Sequence, residues 1–240
     1  MTDVTGTDIP KGREVKWYFG GVASSETHTV TAQEATALGF ALSGTADYGS
    51  VIAQVGSTVT AVTEYTTSTS TPADEENGCG FIGYSGITEG DVVTIKYVAV
   101  GVTPLTHIAS CQDVSLSSSA DTKKASVQGQ SNKLSSVGAV ENTATLNELV
   151  YNEAFVSAIL GDAVSASPAT GKEKWTNAFS GMKKIGALVG KRLNAAGAVA
   201  KKWFLVGAQA NDVGQDFPTE DYYKRSMSFD VDYFTVADLS

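Results

Sequence analysis

An alternating run near the C-terminus, residues 226–233 within the stretch 217–236, constrains the fold of this chain more than any other feature. Its apolar side holds Met227, Phe229, Val231 and Tyr233, and its polar side holds Ser226, Ser228, Asp230 and Asp232. A period of two predicts a β-strand with one dry face and one wet, acidic face. Since a second layer must cover a dry face, the pattern predicts a mainly-β antiparallel sandwich or barrel.

Other segments rich in β-branched and aromatic residues predict further strands. The predicted strands are a short one at 17–19 ended by Gly20-Gly21, one long or two shorter ones over 50–67 joined at Gly56, a central one over 92–99, two over 108–134 separated by the turn SSADT, and the strands 183–193 and 201–210 joined by a hairpin turn at 194–197. The spread of these segments predicts sheet along the whole chain.

Two segments predict helices. Residues 32–42 predict a short helix that ends at Gly44. Thr145 and Glu148 form a capping-box pattern, in which the two side chains satisfy free amides at a helix start. Leu149, Val156 and Leu160 would share one stripe, so the pattern predicts one flanking α-helix over residues 146–160.

The domain organisation follows from composition along the chain. Residues 1–16 are polar and mixed in charge, which predicts a flexible N-terminal arm that orders only on a partner. Residues 17–240 predict one β-sandwich domain, because 42% hydrophobic and 18% charged residues exclude disorder by charge excess. No apolar run reaches the ~20 residues of a membrane span, and no secretory leader is visible, so we expect folding in a cytoplasm.

Cys79 and Cys111 are too few for a disulfide framework. They either pair with each other or are two small buried hydrophobic residues. The second interpretation is favoured, because nothing marks an oxidising compartment, but the pattern leaves the disulfide open.

The net charge of -9 is unevenly placed. Residues 1–120 hold 4 basic and 13 acidic residues, whereas residues 172–202 hold 8 basic residues and the single acid Glu173. The basic run has two interpretations. One is nucleic-acid binding, which the acidity of the whole chain opposes. The favoured one is a head-to-tail contact between copies, acidic half against basic run, which propagates as rings or filaments.

No motif predicts catalysis. Residues 186–192 have one residue too few between their glycines for a phosphate loop, and residues 83–87 lack the second glycine of a nucleophile elbow. His28 and His107 lie far apart, without metal-ligand spacing. The acidic loop residues 74–77 could bind calcium but lack EF-hand spacing, so a solvated, exposed loop is favoured. The chain is predicted to be no enzyme, with no catalytic, cofactor or metal site.

The order of elements over residues 105–236 resembles the major tail tube proteins of long-tailed phages and other tailed viruses. The resemblance lies in a strand pair (IASCQDVSLSSSADTKKASVQGQSNKL), a capped helix (TATLNELVYNEAFVSAILG), hairpin strands (KKIGALVGKRL and KKWFLVGAQA) and the final FPTEDYYKRSMSFDVDYFTV. Residues 27–101 depart from it, and are a candidate insertion or outer decoration.

The resemblance implies a structural virion protein without cofactors, located in the tail and assembled in the host cytoplasm. Its implied partners are copies of itself in hexameric rings stacked head to tail, other tail proteins (tape measure, tail terminator, baseplate or tip) and DNA in transient, non-specific passage, with no membrane. Asp230 and Asp232 would then either line the DNA channel, where carboxylates repel phosphate, or simply face solvent. The alternative function is a surface or secreted β-sandwich adhesion module, which would require a leader.

Overall fold

The computed structural model describes residues 15–100, 105–111, 113–125, 134–147, 150–151, 184–215 and 225–239. These residues form fifteen strands and one short helix, which confirms the mainly-β prediction. The elements are β1 (Val15–Thr29), α1 (Ala32–Ala37), β2 (Phe40–Ala46), β3 (Ile52–Val55), β4 (Thr58–Thr60), β5 (Val62–Tyr65), β6 (Cys79–Tyr84), β7 (Val92–Ala99), β8 (Thr106–Cys111), β9 (Asp113–Ala125), β10 (Leu134–Asn147), β11 (Val150–Tyr151), β12 (Lys184–Leu193), β13 (Val199–Gln215), β14 (Arg225–Val231) and β15 (Tyr233–Asp238).

One antiparallel sheet, which we call the curled sheet, has the strand order β11, β8, β1, β12, β13, β14, β10, β9. β8 and β9 lie near opposite ends of this order, yet Cys111 and Asp113 are only two positions apart in the chain. The two ends of the sheet are therefore held together. Its core draws side chains from β1, β8, β9, β10, β12, β13 and β14, so the sheet curls around one apolar interior centred on Trp17, Leu188, Leu205 and Phe229.

A second sheet forms from the other half of β1, which pairs with β7 from Val22 to Thr29. β7 also pairs with β3 and β2, and β2 continues to β6 and β5. The prediction that the strand at 92–99 is central is confirmed. This sheet has its own core, which includes Phe40, Ile82, Ile95 and Tyr97.

β1 is one strand that belongs to both sheets, so the prediction of a short strand ended by Gly20-Gly21 is wrong. The chain passes through the glycines with a register shift between Phe19 and Gly21. A Cβ on Gly21 would lie 2.6 Å from Val98 Cγ1, so glycine is required where the second sheet crosses the curled one. A third apolar cluster, built from Val98, Ala187, Val189, Phe204 and Val206, fills the space between the two sheets.

The flanking helix predicted over residues 146–160 is wrong at its start. Thr145 lies in β10, and its hydroxyl is 2.9 Å from the Ser228 hydroxyl instead of capping a helix. Leu146 is fully buried and pairs with Met227, and Val150–Tyr151 is a strand that pairs with β8. Pairing to two neighbouring strands outweighed the local capping pattern; residues 152–160 lie outside the described residues.

The short helix is shorter than residues 32–42. α1 spans six residues, and Thr31 and Glu34 close a capping box at its start. Leu38 ends it with a φ of 59°, and the chain enters β2 at Phe40. The helix therefore stops five residues before its predicted end.

Turns and boundaries differ in part from the predictions. The turn at SSADT is wrong, because β9 runs through it paired with β10. Strand β1 begins at Val15, two residues inside the predicted arm 1–16, and residues 1–14 lie outside the described residues.

Residues 50–67 hold three strands, with a turn at Gly56, where φ is 58°. The hairpin turn at 194–197 is confirmed, with Asn194 Oδ1 accepting the Ala196 and Ala198 amides at 3.0 Å.

The alternation near the C-terminus holds along β14. Met227, Phe229 and Val231 are buried in the core of the curled sheet, and Ser226 and Asp230 are exposed. The chain bends at Asp232, whose amide donates to Val206 O at 2.8 Å. Tyr233 consequently packs against the cluster between the two sheets, so its predicted place beside Met227 is wrong.

Candidate functional site: a polar sheet face and a buried ion cluster

The outer face of β9, β10, β14 and the end of β13 is polar. Apolar residues of these strands point into the core, so the alternate residues point outward. The outward residues carry hydroxyl, amide or carboxylate groups, and we call the surface they form the polar face: Ser115, Ser117, Ser119, Glu141, Thr143, Thr145, Asn147, Gln209, Asn211, Ser226, Ser228 and Asp230. None of these described side chains is basic.

Cross-strand register places these groups in rows. Thr143 pairs with Ser117 on one side and with Asp230 on the other, and Asp230 pairs with Gln209. Asn211 Nδ2 donates to Asp230 Oδ1 at 2.7 Å, which holds that carboxylate on the surface. The polar face is therefore a continuous surface across four strands.

Three carboxylates meet at one end of the polar face. Glu141, Asp230 and Asp232 line an open groove together with Asn142, and all three acids are exposed. Asn142 Nδ2 donates to Asp232 O at 3.1 Å, which ties β10 to the bend after β14. The structure thus brings the two predicted aspartates together and adds Glu141, which the sequence did not single out.

Side chains of β13 switch from one face of the sheet to the other at Gly207, and this switch places the C-terminal part of β13 on the polar face. Phe204 and Val206 pack between the two sheets, whereas Ala208 and Ala210 pack in the core of the curled sheet. Gly207 lies between them with a φ of 66°, a conformation that glycine adopts without a steric penalty. Gln209 and Asn211 are exposed as a result.

Two described lysines of the basic run, Lys191 and Lys202, differ from the prediction of a basic surface that binds a second copy. Lys202 is fully buried, and its ammonium lies 2.5 Å from Asp47 Oδ1 and contacts Glu75 Oε1. Lys191 Nζ lies 3.1 Å from Glu75 Oε2. At these two positions the charges of the acidic half and of the basic run are paired within one chain, so they are not available to a neighbouring copy.

Glu64 lies beside this ion cluster. Its carboxylate accepts the Gly49 amide at 2.7 Å and the Val51 amide at 3.3 Å. Burial raises the pKa of Glu64, and these two hydrogen bonds and the nearby Lys202 charge oppose the shift only in part. The group therefore holds its proton more tightly in the folded chain than a solvated glutamate does.

Sequence reasoning missed the ion cluster, although one signal pointed to it. Lys202 occupies the same strand phase as Phe204 and Val206, which are buried, so a lysine stands at an apolar position. Its partner Asp47 lies 155 positions away, and no local pattern connects the two.

The motifs that resembled catalytic loops lie in regular structure. Gly186 to Arg192 fall inside β12, not on a loop that could cradle phosphate. Gly83 and Tyr84 end β6, and the Tyr84 hydroxyl donates to Asp91 Oδ2 at 2.8 Å. Burial, followed by that bond and the Asp91 charge, raises the pKa of Tyr84.

The two histidines have local partners in different sheets. His28 stacks on Phe40 with ring centroids 4.2 Å apart, and its Nε2 lies 3.0 Å from Glu34 Oε2. His107 lies on β8, with its ring 5.5 Å from that of Tyr18. The structure does not bring the two histidines together.

The acidic loop 74–77 is exposed, as predicted, and hydrogen bonds within it hold its backbone. Asp74 Oδ1 accepts hydrogen bonds from the backbone amides of Glu76 at 3.0 Å and Asn77 at 2.8 Å. The hydrogen bond from Asn77 is the largest cause that lowers the pKa of Asp74. Glu75 reaches the lysines of the ion cluster. The described residues contain no group of three or more His, Cys, Asp or Glu that could hold a metal ion.

Cys79 and Cys111 are both buried, no disulfide joins them, and each belongs to a different core. Trp17 Nε1 donates to Cys111 Sγ at 3.1 Å. Burial raises the pKa of Cys79 to about 12, so this thiol is not a nucleophile at neutral pH.

Within the described part of the chain, no helix is long and apolar enough to cross a membrane.

Comparisons with known proteins assign no family. No protein-family model and no curated protein matches the chain. The chain is similar to one in the 6-fold symmetrised cryo-EM structure of the anti-feeding prophage baseplate, with 14% identity and a TM-score of 0.35 over 58% of this chain and 87% of that one. It is also similar to one in the extended PVC sheath-tube complex of an extracellular contractile injection system, with 14% identity and a TM-score of 0.33 over 88% of this chain and 100% of that one. Both TM-scores are too low to assign a shared fold.

Proposed function

We propose that this chain is a structural subunit of a viral tail tube, which assembles without catalysis into stacked hexameric rings around a DNA-conducting channel. The observation that carries the proposal is the polar face. Four adjacent strands present hydroxyls, amides and carboxylates outward, without a lysine or arginine among the described outward side chains. The strands that carry the resemblance to tail tube proteins include β9, β13 and β14, which build much of this face.

The chemistry of the face suits DNA passage. Duplex DNA carries one negative charge per about 1.7 Å of its axis, and lysine or arginine contacts to phosphate produce binding. A channel lined with Glu141, Asp230 and Asp232 repels phosphate, and the serine and threonine hydroxyls between them add no positive charge. A duplex would slide past such a wall without adhering to it.

The edge of the polar face suits ring formation. β9 is 13 residues long, and within the described residues it pairs with β10 along one edge and with no strand along the other. An exposed edge of this length is a template for a strand of a neighbouring chain. Pairing there would continue the polar face from one subunit to the next around the channel.

The proposal is tested by labelling single introduced cysteines with a bulky maleimide polymer in tubes formed from the purified protein. The native Cys79 and Cys111 are 0% and 1% exposed, so they contribute little background. Ser117→Cys lies on the polar face, and the control Ser57→Cys lies on the exposed turn between β3 and β4. We expect Ser57→Cys to react in tubes and in dissociated subunits, and Ser117→Cys to react only after dissociation. Equal labelling of both variants in tubes would place the polar face on the outside and contradict the proposal.

A further inference from the structure

A lysine, an aspartate and a glutamate meet between the two sheets, and tube assembly requires no reaction among them. The Lys202 ammonium donates to Asp47 Oδ1 at 2.5 Å and to Tyr48 O at 2.9 Å, and it also contacts Glu75 Oε1. Lys202 is 0% exposed and Asp47 is 5% exposed. All three ammonium protons therefore have acceptors, and two of those acceptors are carboxylates.

The surroundings of the lysine are apolar and aromatic. The Lys202 ammonium lies 5.7 Å from the centre of the Phe204 ring and 5.9 Å from that of Tyr48. An ion pair removed from water loses much of its hydration energy. The free-energy difference between the charged pair and the neutral pair of amine and carboxylic acid is therefore smaller than in water. A neutral amine is a nucleophile, and the carbon of a protonated carboxyl group is an electrophile that the amine can attack.

We propose that Lys202 and Asp47 condense with each other to form an intramolecular amide bond, with Glu75 as the catalytic proton carrier. One ammonium proton first moves from Lys202 Nζ to Asp47, which gives the neutral amine and carboxylic acid. The Nζ lone pair then attacks Asp47 Cγ, Glu75 takes one of the two protons left on Nζ, and it delivers a proton to the departing Asp47 hydroxyl. The Nζ–Cγ bond forms, one Cγ–O bond breaks and one water molecule leaves. The step needs no oxidant or cofactor, and it removes one positive and one negative charge, so the net charge is unchanged.

An unsatisfied oxygen at Asp47 favours the product over the ion pair. Asp47 Oδ2 is buried and has no hydrogen-bond partner. A buried carboxylate oxygen without a partner is costly, because its lost hydration is not replaced. Condensation replaces the buried carboxylate, with its unsatisfied Oδ2, by a neutral amide, whose single oxygen costs less to bury than a charged carboxylate. The amide nitrogen keeps one proton, for which Tyr48 O is already in place.

Fixed proximity supplies the driving force that such a condensation lacks in water. Groups held in reactive contact reach effective molarities on the order of 10⁵–10⁸ M. Here the fold holds Nζ in contact with both carboxylates at once. Lys191, 3.1 Å from Glu75 Oε2, keeps the proton carrier in position without contacting Asp47.

The bond would join distant parts of the chain. Lys202 lies on β13 of the curled sheet, and Asp47 follows β2 of the second sheet, 155 positions earlier. An amide bond there is a covalent staple between the sheets that resists heat and tension. The inference is independent of the proposed tail function, because it depends only on the contacts of these three side chains.

The test is the mass of the purified, denatured full-length protein, followed by peptide mapping. We expect the chain to be lighter than its sequence by one water molecule, and a protease digest to contain a branched peptide that joins residues 47 and 202. An unmodified mass, with cleavage after Lys202 and a free Asp47 peptide, would overturn the proposal. This measurement uses the wild-type protein, so its result does not depend on whether a variant folds.

Variants then assign the roles. Lys202→Arg retains the positive charge but cannot form the amide in this way, so we expect the full sequence mass. Glu75→Gln retains Lys202 and Asp47, and we expect the linked fraction to fall at least tenfold after equal incubation. The matched control Lys201→Ala removes the neighbouring lysine of β13, whose ammonium lies 5.7 Å from the centre of the Trp203 ring, and we expect the branched peptide to persist. Complete linkage in Glu75→Gln would overturn the role of Glu75, and linkage in Lys202→Arg would overturn that of Lys202.

Discussion

The crossing of β1 between the two sheets yields a quantitative prediction at Gly21. A methyl group on Gly21 would lie 2.6 Å from Val98 Cγ1 and 3.3 Å from Ala187 Cβ, so Gly21→Ala overpacks the interface between the sheets. Overpacking of this kind costs about 1–3 kcal/mol. Val98 is 1% exposed, and Val98→Ala should cost about 2 kcal/mol through lost burial.

The double variant separates this clash from general destabilisation. Val98→Ala removes the methyl group that Gly21→Ala would strike, so the double variant should lose less free energy of unfolding than the sum of the single variants. We expect a coupling of about 1 kcal/mol, within the range for residues in contact. Urea-induced unfolding of the full chain, followed by tryptophan fluorescence, measures all four proteins.

The control is Gly44→Ala in β2, where the new methyl group would meet only the Tyr97 hydroxyl, at 3.3 Å. We expect its effect to stay within about 0.5 kcal/mol. If the losses of Gly21→Ala and Val98→Ala add exactly in the double variant, Gly21 does not lie beneath Val98, and the continuous path of β1 through both sheets is wrong.

Two further predictions concern Glu64 and Gly197. Because burial raises the pKa of Glu64, the folded chain binds that proton more tightly, and the group costs stability increasingly as the pH rises above its ordinary pKa of 4.5. Glu64→Gln should therefore gain stability relative to wild type between that pH and neutrality in urea titrations, and a pH-independent difference would refute the assignment. Gly197 has a φ of 84° with open space around it, so Gly197→Ala should cost about 1–2 kcal/mol of unfolding free energy from backbone strain alone. A thermal melt unchanged from wild type would contradict that turn.

Local patterns predicted the parts of the fold that depend on local order. The alternation in β14 identified its buried face because a period of two needs only neighbouring residues, and Met227 and Phe229 are buried as expected. Asn194 and Gly197 marked the hairpin turn for the same reason. The polar face follows from this alternation, since Asp230 was placed on the wet side.

Features that depend on distant partners could not be read from the sequence. The capping pattern at Thr145 predicted a helix, but Leu146 pairs with both Met227 and Val114, and this pairing decided the local structure. Gly20-Gly21 looked like a strand end, because only the close approach of Val98 shows why glycine is needed there. The partners of Lys202 were equally invisible, since they come from the other half of the chain.

The central claim is that copies of this chain assemble into a channel. Electron microscopy of the purified full-length protein, with averaging of the particles, tests it most directly. We predict tubes of stacked rings with sixfold symmetry and an open bore lined by the polar face. Isolated monomers at every protein concentration, or closed twofold dimers, would contradict it.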